Sequence, residues 1–119
     1  MKYLALIYGD EIAAQSMTPA DQHNEIAEYG QYGEWLDAHH AGKMLGGEAL
    51  LPTSTAKTIR VRDGKTTVID GPFAETKEHL GGYYLFEAKD MDEAVILAER
   101  IPGAANGCVE VRPIMVIEF

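Results

Sequence analysis

The chain predicts an α+β domain in which two strand–helix–strand units share one mainly antiparallel sheet, with a β-hairpin inserted between them. Three observations carry that expectation. Apolar or alternating runs of strand length recur along the sequence. Two segments with helical spacing, each opened by a capping residue, stand between them. Asp63-Gly64 separates two of the runs and suits a type I′ hairpin turn, because glycine accepts positive φ and aspartate tolerates it.

Tyr3 to Tyr8 is uncharged, β-branched and aromatic, the pattern of a central strand covered on both faces. Gly9-Asp10-Glu11 leaves it. Thr18 then offers an N-cap, with Pro19 at the first helical position and Asp21 in the first turn. The spacing predicts a helix from Pro19 to about Ala41, its apolar face made by Ile26, Tyr29, Gly33, Leu36 and His40. Tyr32, Trp35 and His39 form an adjoining stripe, and Gly42 suits the C-terminal end. Gly30 and Gly33 weaken this helix and suggest close approach of another backbone.

Met44 to Leu51 reads as a strand interrupted by Gly46-Gly47, so a bulge or a tight contact is expected there. Ala56 to Arg62 and Lys65 to Asp70 form the hairpin, and Ile59 and Val61 alternate with Arg60 and Arg62. Gly82 to Ala88 is the next strand. Asp90 caps a second helix with Glu93 three residues on, and Ala94, Leu97, Ala98 and Ile101 make its stripe. Pro102-Gly103 ends it, and Ala104 to Cys108 reads as loop. Val109 to Val111 begins the last strand, Pro113 marks an edge or bulge, and Ile114 to Phe119 resumes it.

Without the hairpin, this order is the split βαβ arrangement of ferredoxin-like folds. Residues 1–119 make one such domain. Both helices cover one face of the sheet. A second copy of the chain is the natural cover for the other, so a homodimer is expected; a wetted second face is the alternative.

Composition narrows the partners. Ten Lys and Arg against nineteen Asp and Glu give a formal net charge of −9. That disfavours nucleic acid and anionic membranes, whose affinity comes from neutralised phosphates. One cysteine, Cys108, excludes an internal disulfide. The first apolar run is too short for a secretory signal, so a cytoplasmic location is expected. No phosphate loop, dinucleotide fingerprint, serine elbow or paired-cysteine site occurs, and no cofactor is expected.

The densest chemistry lies between the hairpin and the following strand, where Asp70-Gly71-Pro72-Phe73 leads into Glu75, Lys77, Glu78, His79 and Gly81-Gly82. Together with Met1 to Tyr8, Gly82 to Ala88 and Val109 to Ile114, this segment resembles the DGPF-domain branch of the YCII-related family. The resemblance spans nearly the whole chain. It implies a dimeric α+β barrel built from ferredoxin-like subunits, and a histidine–aspartate site in a cleft, for which His40 and Asp70 are the nearest candidates. Some members of that family are encoded beside sigma factors or fused to them, which implies a regulatory association.

The candidate catalytic residues are therefore His40, Asp70 and Glu75, a histidine and two carboxylates suited to proton transfer. Each has a structural reading as well. His40 reads as a half-buried helix-end residue, Asp70 as a cap of the Gly71-Pro72 turn, and Glu75 as an ion-pair partner. Tyr8, Phe73, Lys77 and Tyr84 are the candidate ligand-binding residues; Phe73 also reads as an apolar anchor for its loop, and Lys77 as a solvated charge. Glu75, Glu78 and His79 match no standard metal spacing, so no metal is expected. The sequence thus supports a small-molecule cleft near the Asp70–Phe73 loop. The alternatives are a small histidine/carboxylate acid–base enzyme and a protein-binding partner of a transcription regulator.

Overall fold

The computed structural model describes residues 1–118; Phe119, the end of the expected last strand, lies outside the described residues. In chain order the elements are β1 (Lys2–Gly9), α1 (Glu11–Gln15), α2 (Pro19–His39), β2 (Met44–Ala49), a 3₁₀ turn at Thr53–Thr55, β3 (Lys57–Arg62) and β4 (Lys65–Asp70). They continue as β5 (His79–Glu87), α3 (Met91–Ala98), α4 (Gly103–Asn106) and β6 (Cys108–Pro113). One sheet runs β2-β5-β1-β6 with every pairing antiparallel, and β3–β4 form a separate two-stranded ribbon. This is the α+β, ferredoxin-like split βαβ with its inserted hairpin.

The caps start the helices where expected. Thr18 Oγ1 accepts from the Asp21 N–H at 3.1 Å while the Asp21 carboxylate accepts from the Thr18 N–H at 3.1 Å. Asp90 accepts from the Glu93 N–H at 2.9 Å. These reciprocal bonds satisfy donors that the first helical turn leaves orphaned. Asp63 at φ 51° and Gly64 at φ 75° make the tight hairpin turn.

The core forms where α2 and α3 lie on one face of the sheet. Tyr3 and Ala5 of β1, Phe86 of β5, Tyr32 and Leu36 of α2, and Ala94, Leu97, Ala98 and Ile101 are buried together. Ile26, expected on the inner face of α2, is 72% exposed. Leu36 and Tyr29 of the expected face do pack inward, and Tyr32 of the adjoining stripe joins them, its hydroxyl donating to the Leu97 carbonyl and its ring packing edge-on to Tyr84 at 5.5 Å. Nothing approaches Gly30 or Gly33 within 4 Å of where a side chain would begin, so neither permits a close backbone contact. Gly47 does: a methyl there would stand 2.7 Å from the Tyr84 ring and 2.8 Å from the Tyr83 carbonyl oxygen.

Four further boundaries differ from expectation. Asp10 accepts from the Ile12 and Ala13 N–H groups and opens the five-residue α1. Strand β5 starts at His79, three residues early, because its first part pairs with the end of β1. Ile7 stands opposite Gly82 and Tyr8 opposite Leu80, so Gly81 is an extra residue, a β-bulge. Gly103–Asn106 forms a helical turn, and residues 114–118 form no strand after Pro113.

Candidate functional site

Asp70, Gly71, Pro72 and Phe73 carry the chain from the ribbon toward β5. Gly71, at φ 94°, donates its N–H to the Ala56 carbonyl at 2.7 Å, and its carbonyl accepts from Thr58 Oγ1 at 2.8 Å. The turn is thereby tied to the ribbon. Asp70 pairs with Lys57 Nζ at 2.5 Å across the hairpin, with its side chain 86% exposed. That is a solvated strand-end ion pair. Phe73, expected as an apolar anchor for its loop, is 80% exposed and lines a shallow groove of about 380 Å³ with Ile59 and Val61 of the ribbon.

The expected histidine–aspartate pair does not form. His40 caps the C-terminal end of α2, its ring 4.9 Å from Trp35, and among the described side chains no hydrogen bond joins it to Asp70 or Glu75. Tyr84 and Tyr8 also part company. Tyr84 stands opposite the core residue Ala5 and stacks on Phe86, whereas alternation along β1 sends Tyr8 to the other face. Glu75 and Lys77 are exposed on the loop.

The chain instead brings together three residues from distant segments. His79 begins β5 opposite Gly9, and Glu11 begins α1 two residues past Gly9. Thr53 opens the 3₁₀ turn after β2. Thr53 donates its backbone N–H to Glu11 Oε1 at 2.8 Å and its hydroxyl to Glu11 Oε2 at 2.7 Å. Glu11 Oε2 lies 3.9 Å from His79 Nδ1, and the two side chains are only 25% and 18% exposed. The hydroxyl and backbone donations from Thr53 hold the Glu11 carboxyl below the ordinary carboxylate range against the opposing effect of burial, and the charge of His79 adds to them. His79 Nδ1 is buried without a hydrogen-bond partner. Such an atom is costly to leave unpaired, by about 1–3 kcal/mol.

The neighbouring backbone is tight. A methyl on Gly107 would overlap the Tyr8 carbonyl oxygen and stand 3.1 Å from Glu78 Oε2. Tyr8, Glu78 and the β6 start are thus held against one another beside His79. An ionised carboxylate fixed beside an imidazole can orient that ring and stabilise its protonated form, which is the equipment of general acid–base chemistry. Among the described residues, no group of three or more His, Cys, Asp or Glu is placed to hold a metal ion. No described helix is long and apolar enough to cross a membrane.

Sequence reasoning named His79 only as an ambiguous loop residue and gave Glu11 and Thr53 no role. The available signal was Asp10 followed by a short apolar run, which marks a capped turn.

Comparison with known proteins places the chain. It is 36% identical over 120 aligned residues to an uncharacterized protein of Rhizobium meliloti (strain 1021), covering 96% of this chain and 92% of that one. Among solved structures, it is similar to TftG of Burkholderia phenoliruptrix AC1100, a 5-chloro-2-hydroxyhydroquinone dehydrochlorinase in complex with 2,5-dihydroxybenzoquinone. That match has a TM-score of 0.50 at 18% identity, over 97% of this chain and 94% of the other, and bears on the fold alone. The model of the YCII-related domain matches residues 1–118, so the chain belongs to the YCII-related family.

Proposed function

We propose that this protein binds a small molecule beside His79, at the end of the sheet reached from the Asp70–Phe73 loop, and moves a proton on it. One observation carries the reading: a buried imidazole nitrogen without a partner faces a carboxylate that Thr53 holds ionised. Chemistry of this kind suits a substrate with an acidic C–H or O–H bond. The dehydrochlorinase neighbour carries out a small-molecule reaction on the same fold. Tyr8 precedes Gly9, the partner of His79, along β1, and Glu75 and Lys77 stand on the loop that leads into His79; these three are kept as candidate ligand contacts.

A homodimer is part of the proposal. The chain exposes 8669 Å², whereas a compact monomer of its mass exposes roughly 6,300 Å². Its radius of gyration is 16.5 Å, against about 13.5 Å for a compact chain of this length. The excess area is of the size that permanent dimers bury. It includes Ile59, Val61 and Val68 on the ribbon, each at least 55% exposed.

A thermal-shift screen of small polar and hydroxyaromatic compounds on purified protein, followed by calorimetry and turnover assays, tests the site. A ligand of the wild type is expected to lose at least tenfold in affinity or turnover in H79N and E11Q. H40A and D70N serve as comparison variants. Binding and turnover unchanged in both H79N and E11Q would refute the reading. Sedimentation of a species of one chain mass at micromolar concentration would refute the dimer.

A further inference from the structure

We infer that Thr53 is a positioning residue, which acts through Glu11 to select the His79 tautomer with the proton on Nδ1 and so leaves Nε2 as the basic nitrogen. The inference rests on the proposed site, and deepens it.

The argument is geometric. A carboxylate with one anchored oxygen can still rotate about its last bond. Here both oxygens are engaged by a single residue, Oε1 by the Thr53 N–H at 2.8 Å and Oε2 by its hydroxyl at 2.7 Å. Two donors, one to each oxygen, fix the plane of the carboxylate as well as its place. The fixed plane leaves Oε2 3.9 Å from His79 Nδ1. An imidazole lone pair turned toward that anion is repelled by it, and an N–H is attracted, so the neutral ring carries its hydrogen on Nδ1. The gap to hydrogen-bond distance is on the order of 1 Å, within reach of a small rotation of the ring. No described group hydrogen-bonds to Nδ1, and among the described carboxylates only that of Glu11 lies within 4 Å of it.

The clamp joins segments 42 positions apart, so it also staples α1 to the turn after β2. A staple alone would change stability and leave the tautomer as it was. The two roles therefore separate in experiment. Intact protein labelled with ¹⁵N-histidine is examined by long-range ¹H–¹⁵N correlation at a pH well above the ordinary imidazole value, with H79N assigning the ring. Wild type and T53S are expected to show the Nδ1–H pattern. T53V keeps the backbone N–H and loses the hydroxyl, so the ratio of Nδ1–H to Nε2–H in His79 is expected to fall several-fold. T53A is read in parallel, in case the valine disturbs folding, and E11Q is expected to shift the ratio in the same direction.

Wild-type His79 with its proton on Nε2 overturns the inference. So does an unchanged ratio in a folded T53V or T53A. The readout needs no ligand. If the tautomer responds as expected while ligand affinity and turnover ignore H79N, the proton-transfer reading fails and the positioning role of Thr53 stands.

Discussion

Substituting Gly107 by alanine tests the packing that supports the site. A methyl at this position would overlap the Tyr8 carbonyl oxygen, stand 3.0 Å from the carbon of that carbonyl, and stand 3.1 Å from Glu78 Oε2. The first two are backbone atoms of a central strand hydrogen-bonded to both β5 and β6, so neither can swing aside as a side chain could. Strands β1 and β6 must separate by on the order of 1 Å to restore van der Waals distance. Overpacking of this kind costs about 1–3 kcal/mol, and the backbone obstacle puts G107A at the upper end. A chain of this length gains roughly 0.25 kcal/mol per kelvin in unfolding entropy, so 3 kcal/mol lowers Tm by about 12 °C. G30A is the internal control, since the same methyl meets nothing within 4 Å on an exposed helix. It is expected to raise Tm by about 2–4 °C through helix propensity alone. Calorimetry of both variants at one protein concentration makes the measurement, because any self-association adds to apparent stability. A G107A midpoint within 2 °C or so of the wild type would refute the reasoning.

Three further expectations follow from the geometry. F86A removes a side chain with no exposed surface from the centre of the core; a loss of about 3–5 kcal/mol in denaturant unfolding is expected, and a loss below about 1 kcal/mol would contradict that placement. D70N removes the exposed ion pair with Lys57 and is expected to change stability by less than about 0.5 kcal/mol in the same assay. The Glu11 carboxyl, held below its ordinary value of 4.5 in the fold, stabilises the native state above that value and ceases to do so as pH falls through its folded one. The acid limb of a stability–pH profile is therefore expected to be shallower in E11Q, and superimposable limbs would show that the Thr53 bonds are not formed in solution.

Much of the fold was legible because its signals are local. Thr18, Asp90 and Asp63-Gly64 act within four residues of themselves, and the elements they begin lie where expected. The face of α2 was less legible. Two apolar stripes run along that helix, and the choice between Ile26 and Tyr32 depends on a hydrogen bond to Leu97, 65 positions away. The site was hidden for a related reason. His79-Leu80-Gly81-Gly82 has weak strand propensity and reads as loop; its pairing with Tyr8 and Gly9 makes it strand. Glu11 read as part of the exit from the first strand because a five-residue helix has no period to detect. The emphasis on Asp70 came from a motif whose visible work is to tie its turn to the ribbon through Ala56 and Thr58.

The bulge at Gly81 makes the direction of His79 a matter of counting. Side chains alternate along a strand, so the one skipped residue decides whether the imidazole or Leu80 turns toward a given side. Were Gly81 paired opposite Tyr8, Leu80 and His79 would exchange sides; left out of the pairing as an extra residue, it keeps Leu80 opposite Tyr8 and His79 opposite Gly9. The side on which the imidazole lies is therefore kept in a relative that lacks the extra residue, and reversed in one that keeps it and pairs it.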